Sequence, residues 1–207
     1  KRGLKMEPVS PVILETERLY AREFAPMDAE SVFNWAGNEE NCRYLPFGPE
    51  SREWAEGFVR LRSKQQIEEP RRSYELAVCL NETDECIGAV RLALDGEGRQ
   101  GELGYIVDMK HWGFGYACEI AGAMLRFAFM GLDLHRVSAR CVCANEASCR
   151  VLEKLGMRLE GVSKRSARKE VRGNEVWRDE AHYAMLWKEY LKALPDGTYS
   201  PTGKNTD

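Results

Sequence analysis

Two glycines one residue apart, Gly113 and Gly115, stand in "KHWGFGYACEI" between a strand-like "GELGYIVD" and a strongly amphipathic stretch. The first N–H groups of a helix lack intrahelical partners, and the aligned peptide dipoles add partial positive charge there. Glycine leaves those amides bare and permits positive φ where the chain turns. The chemistry on offer is capture of an anion, above all a phosphate, although the same pair could simply close a turn. Two well-known phosphate loops do not fit. The dinucleotide fingerprint needs a third glycine where Cys118 stands, and a Walker loop needs Gly-Lys-Ser/Thr, which is absent.

Other reactive groups lie close by in sequence. Glu102 opens "GELGYIVD" and offers a carboxylate for base work, or a solvated strand end. In "NEASCRVLEKLG", Asn145 reads as a helix cap and Ser148 falls in the first turn, sharing a face with Leu152 and Leu155. Cys141 and Cys143 are the close cysteine pair, on one face of "HRVSARCVCA" with Val137 and Ala139. With three histidines, none suitably spaced, packing is favoured over a metal site.

These residues need a scaffold to meet. "VILETERLYAREF" reads as a strand, and "PMDAESVFNWAGN" as a short helix with Ala29, Val32, Phe33 and Ala36 in register. "SREWAEGFVRLRSKQQIEE" gives a second helix, with Trp54, Phe58 and Leu61 on one side. Three strands follow, "RSYELAVCL", "CIGAVRLAL" and "GELGYIVD", and their short turn-rich links predict an antiparallel meander. The helix after the glycines buries Ala117, Ile120, Ala121, Met124, Leu125 and Ala128. "HRVSARCVCA", reached by that helical crossover, should lie parallel to "GELGYIVD". A fourth helix and the strands "MRLEGVSKR" and "EAHYAMLWK" complete one domain at 12–193, with residues 1–11 and 194–207 as flexible ends.

Composition narrows the class. Net charge of −3 gives no basic footprint for nucleic acid, and the cluster Arg165, Arg168, Lys169 and Arg172 reads as a solvated strand and turn. No apolar run approaches the length of a membrane span. Seven cysteines, an odd number without secreted-type spacing, predict free thiols and a cytoplasmic setting.

The glycine corner resembles the acetyl-CoA loop of the GNAT acetyltransferase superfamily, Arg/Gln-x-x-Gly-x-Gly/Ala, with Lys110 in the first place. "HWGFGYACE" after "ELGYIV" is similar to the RimJ/RimL branch, which acetylates N-terminal amines of ribosomal proteins. "LETERLYAREFAPMDAESVFNW", "NEASCRVLEKLGMRLEG" and "WRDEAHYAML" follow that branch in the same order, between residues 12 and 190. The resemblance implies an α/β (mixed α+β) GNAT fold: a mostly antiparallel seven-stranded sheet with a central splayed parallel pair and about four helices on its two faces. It implies acetyl-CoA as co-substrate and no metal. The main chain of Tyr105, Ile106 and Val107 would pair with the pantetheine arm, amides from Trp112 through Gly113, Phe114, Gly115 and Tyr116 to Ala117 would hold the diphosphate, and Asn145 would touch the arm. Glu102 is then the expected base and Ser148 the expected acid, since Leu152 occupies the place where many members carry a tyrosine. The acceptor would be a primary amine, on a protein N-terminus or a small molecule, in a pocket lined by Tyr44, Phe47, Trp54 and Tyr183. The resemblance also admits a homodimer.

Two other readings stay open on the sequence. One is a catalytically silent acyl-CoA-binding module that senses or scaffolds. The other is an antibiotic-modifying acetyltransferase, which predicts an acidic acceptor cleft from Glu39, Glu40, Glu50, Glu53 and Glu56.

Overall fold

The computed structural model describes residues 11–171 and 173–193. The expected flexible ends, apart from Pro11, and Arg172 of the basic cluster lie outside the described residues. Among the described residues, one sheet of eight strands runs in the order β1-β2-β3-β4-β5-β6-β8-β7. The strands are β1 (Leu14–Glu15), β2 (Leu19–Glu23), β3 (Ser73–Leu80), β4 (Cys86–Leu94), β5 (Gln100–Val107), β6 (Arg136–Val142), β7 (Arg158–Val171) and β8 (Asn174–Leu186). Five helices accompany them: α1 (Ala29–Ala36), α2 (Arg52–Gln65), α3 (Tyr116–Arg126), α4 (Glu146–Lys154) and α5 (Trp187–Ala193).

The eighth strand arises because the opening strand is a hairpin: Leu14 pairs with Ala21 and Glu15 with Tyr20, around a turn at Thr16 to Arg18. That turn is held by Thr16, whose N–H donates to the Leu19 carbonyl at 2.8 Å and whose hydroxyl oxygen accepts from the Leu19 N–H at 3.0 Å. The fifth helix begins at Trp187, inside the "EAHYAMLWK" stretch expected as the last strand. There the Leu186 N–H donates to the Glu189 carboxylate at 2.8 Å, closing a first helical turn.

Alternation along the meander builds two cores. On one face Leu76, Val90, Leu92 and Leu103 pack under Ile120, Met124 and Leu125 of α3. On the other, Ala77 and Ala89 pack under Val32 and Trp35 of α1 and Phe58 and Val59 of α2. Phe58 anchors this second core, meeting Phe24 and Trp35 edge-on at 5.4 and 5.8 Å between ring centroids. The buried side of α2 is therefore Ala55, Phe58 and Val59; Leu61, expected beside Phe58, is 48% exposed.

β5 and β6 are the parallel pair, joined by the α3 crossover. Their pairing runs from Gln100↔Arg136 to Leu103↔Ala139 and stops. Beyond that rung β5 continues on β4 as far as Val107↔Gly88, and β6 continues on β8 as far as Val142↔Glu180. A gap thus opens between two strands that each remain paired on the outer side. The chain leaves β5 into α3 and β6 into α4, so both helix N-termini flank this gap. Gly88 lets β4 and β5 approach there, since a Cβ on it would lie 2.1 Å from the Ile106 carbonyl oxygen. The β3–β4 register shifts beside it, between Val78 and Cys79.

Candidate active site

At the corner after β5, Gly113 and Gly115 have φ of +85° and +84°, the left-handed region that side chains disfavour. Open space surrounds the Cβ position of Gly113, so the backbone conformation, with the room left beside it, accounts for glycine. Among the described residues, the main-chain N–H groups of Gly113, Phe114, Gly115, Tyr116 and Ala117 have no protein acceptor, as expected for a helix start. The Trp112 N–H differs, because it donates to the Met109 carbonyl at 3.2 Å. Its indole N–H donates to the Val107 carbonyl at 2.8 Å. Within the stretch 112–117 the bare amides are thus those of Gly113 to Ala117.

A clamp absent from the sequence reading holds this corner. The Arg18 guanidinium donates to the Phe114 carbonyl at 3.0 Å and to the Glu119 carboxylate at 2.8 and 2.6 Å. Glu119 also accepts from the Thr16 hydroxyl at 2.7 Å and the Arg18 N–H at 2.9 Å. These bonds hold its carboxyl below the usual range, against the opposing effect of burial. The first hairpin thereby fixes the first turn of α3. On the far side, Asn41, buried at the end of the segment after α1, accepts from the Met109 N–H at 2.6 Å.

The gap is the neck of a cavity of about 860 Å³ that passes through the sheet. On the α4 side it is lined by Tyr105, Cys141, Asn145, Ser148 and Leu152. Asn145 caps α4, its side chain accepting from the Ser148 N–H at 3.2 Å. The Ser148 hydroxyl lies 2.9 Å from the Tyr105 hydroxyl, joining β5 to α4 across the neck. Burial pushes the Tyr105 phenol above its ordinary value, so it stays protonated at neutral pH. The Cys141 thiol lies 3.4 Å from that of Cys149 and is pushed up to about 12, mainly by burial. Leu152, in the expected tyrosine's place, is buried.

On the α2 side Glu102 faces the cavity just before the strands part, and each of its oxygens accepts from Arg140 at 3.1 Å. Tyr44, Phe47 and Trp54 line this end, with Phe47 stacked on Trp54 at 5.3 Å. Tyr183 does not; it is 3% exposed in the opposite core, donating to Glu153 at 3.2 Å. It shares the parity of Ala181 and Met185 on β8, which puts its ring on the α4 face. Lys169 also departs from expectation. It is 8% exposed, and its ammonium donates to the carbonyls of Cys42 and Phe47, stapling the β7–β8 hairpin to the loop that bears Tyr44. Burial lowers its pKa. The acidic cleft fails too: none of Glu39, Glu40, Glu50, Glu53 and Glu56 lines the cavity, which carries six basic side chains against three carboxylates.

Among the described residues, no group of three or more His, Cys, Asp or Glu side chains is arranged to hold a metal ion, and no helix is long and apolar enough to cross a membrane. All seven cysteines are free thiols.

A sheet parted at its parallel pair, bare amides at the adjoining helix start and a cavity through the opening make a site suited to an extended, phosphate-bearing ligand. The chain belongs to the acetyltransferase (GNAT) family, whose domain matches residues 18–158. It is 33% identical over 177 residues to the uncharacterized N-acetyltransferase YnaD of Bacillus subtilis (strain 168), covering 86% of this chain and 98% of that protein. A GNAT-family acetyltransferase from Bacillus anthracis superposes with a TM-score of 0.74 at 29% identity, over 86% of this chain and 99% of that one. RimL, a ribosomal L7/L12 α-N-protein acetyltransferase solved with coenzyme A, shares the fold at a TM-score of 0.69 and 18% identity, over 84% of this chain and 98% of its own. The activity is that of a GNAT-type N-acetyltransferase.

Proposed function

We propose that this enzyme moves acetyl from acetyl-CoA to a primary amine, on a protein N-terminus or a small molecule, within a cytoplasmic setting and in the manner of the RimJ/RimL branch. The observation that carries this reading is the continuity of three parts: five bare amides at the start of α3, a neck between β5 and β6, and a cavity beyond it. The amides of Gly113 to Ala117 suit the diphosphate, and the main chain of Tyr105 and Val107, unpaired with β6 and turned away from β4 where the Ile106 carbonyl points, suits the amides of the pantetheine arm. Asn145 lines the neck where that arm would pass.

When bound, acetyl-CoA supplies the thioester carbonyl. The acceptor nitrogen bonds to that carbon, the C–S bond breaks, one amine proton must leave and the departing sulfur must gain one. Glu102 is the proposed base, taking the proton through water because both its oxygens are engaged by Arg140. Ser148 is the proposed acid; the Tyr105 hydroxyl beside it returns a proton to Ser148 and is itself reprotonated from water after the coenzyme leaves. A protonated phenol in that position supplies what Leu152 does not, which weighs against a catalytically silent binder. Main-chain N–H groups near Ile106 would stabilise the oxyanion. An α-amine, with a pKa of about 8 against about 10.4 for lysine, is the easier nucleophile at neutral pH. Free thiols throughout support the cytoplasmic setting.

The test is a screen of amines and N-terminal peptides with acetyl-CoA, following thiol release. Amine-dependent release is expected. Tight acetyl-CoA binding with no release across the panel would replace the transferase reading with the silent module.

A further inference from the structure

The charges of the acceptor end do not cancel, and their surplus is built in. Of the three carboxylates that line the cavity, Glu75 pairs with Arg62 at 2.8 Å, Glu102 with Arg140 at 3.1 Å, and Glu180 with the same Arg140 at 3.6 Å. Every lining carboxylate thus already has a cation. Three of the lining cations form no ion pair with a carboxylate among the described residues, although Glu39 and Glu50 act on Lys169 from a longer distance. Lys169 donates only to main-chain carbonyls, those of Cys42 and Phe47. Arg178 donates to the Arg43 carbonyl and lies over the Tyr44 ring, 5.6 Å from its centroid. Arg91, exposed on β4 between Gly104 of β5 and Glu75 of β3, makes no hydrogen bond or ion pair with any described residue, the Glu75 carboxylate being bound to Arg62.

Arg91 is the informative one. A free arginine on a surface is ordinary, but this one stands on the floor of the cavity, beside a glycine that leaves its approach to the β5–β6 neck clear. The diphosphate cradle does not explain it. None of residues 112–117 lines this cavity, and the part of the carrier that would enter the neck is the uncharged pantetheine end. A guanidinium with unused donors, beside two further cations, presents a fork suited to a carboxylate.

We propose that the acceptor is an amine that itself carries a carboxylate, and that Arg91 binds that group while Arg178 and Lys169 supply the surrounding positive field. The proposal rests on the transferase reading and narrows its substrate class. Two sources of such an amine are a free amino acid and a peptide whose first residues include Asp or Glu. A polyamine is the disfavoured case, since it would bring only positive charge to a cavity already in surplus.

The test uses matched acceptors: an amino acid and its carboxamide, an N-terminal peptide with Asp at its second residue and the same peptide with Asn, and spermidine. With the native enzyme, kcat/KM for the carboxylate partner should exceed that of its carboxamide by about 10- to 100-fold, the range of a charge-assisted bond to arginine. Which of the two pairs shows the larger gap identifies the source of the carboxylate. The gap should narrow as salt rises from about 0.05 to about 0.5 M, and in Arg91→Met it should shrink about tenfold or more. Equal rates within both pairs, or spermidine as the best acceptor, would overturn the proposal. Binding of each amine in the presence of coenzyme A, followed by calorimetry, separates the two readings. Carboxylate-selective binding without transfer would support the charge assignment and remove the transferase reading, whereas transfer without carboxylate preference would do the reverse.

Discussion

Replacing Gly88 by alanine should injure the active site through the backbone alone. The new Cβ would sit 2.1 Å from the Ile106 carbonyl oxygen and 3.0 Å from the Val107 Cα, both main-chain atoms that cannot swing aside. Contacts below 3.0 Å are essentially never seen for a real Cβ, so β5 must retreat by at least about 0.9 Å at that point. Overpacking of this kind costs about 2 kcal/mol, within a usual range of roughly 1 to 3. For a chain of this size that lowers Tm by about 4 to 8 °C. Because the displaced segment is the proposed pantetheine edge, a shift near 1 Å should also lower kcat/KM by about 100-fold. Gly104→Ala is the comparison: on the neighbouring strand, its Cβ would meet only the Arg91 Cβ, at 4.0 Å, and Tm should stay within about 2 °C of the native value. Scanning calorimetry and thiol-release kinetics read both. If Gly88→Ala melts with the native protein and binds acetyl-CoA unchanged, β5 is not held against β4 as described, and the reasoning fails.

Three further outcomes are expected. Gly115→Glu, which sets a carboxylate where the diphosphate should sit and strains a residue at φ +84°, should abolish acetyl-CoA binding by calorimetry; unchanged affinity would remove the corner from the site. Ser148→Ala should lower turnover with little change in acetyl-CoA affinity, and Tyr105→Phe should do the same to a smaller degree; full turnover in both would mean that water protonates the thiolate. Stability should fall as pH rises from about 9 toward 11, because the Cys42 and Cys141 thiols, held up to about 11 and about 12 by burial, ionise earlier in the unfolded chain. Both pKa values are raised, so the contribution is full below the unfolded pKa and is lost as pH rises through the folded values of about 11 and about 12. The double variant Cys42→Ala, Cys141→Ala should show a shallower alkaline decline in Tm, and an equally steep one would assign the decline to other groups.

The parts legible in the sequence were those written in local rules. Positive φ at residues 113 and 115 demands glycine, the turn-rich links after residues 80 and 94 demand a meander, and Asn145 three residues before Ser148 is a cap. The parts that were not legible depend on pairs far apart in the chain. Lys169 looks solvated beside Arg168, and only the loop carbonyls of Cys42 and Phe47 make its burial tolerable. The phenol of Tyr105 reaches Ser148 from 43 residues away, and Arg18 reaches Glu119 across 101. Period-two alternation shows that Tyr183 and His182 face opposite ways but not which of them meets the acceptor side, hence the misplaced Tyr183. The turn inside "LETERLY" carries neither Gly nor Pro, so nothing announced the extra hairpin.

The carboxamide of Asn41 has a consequence for how two ligands would share this enzyme. It tethers the stretch leading to Tyr44 and Phe47 to the Met109 amide, four residues ahead of Gly113, so the walls of the two seats hang from one peg. Order imposed on one wall by its guest would reach the other along that peg. Thermodynamic linkage then requires the exchange to be even-handed: the factor by which the coenzyme improves the amine's grip is the factor by which the amine improves the coenzyme's.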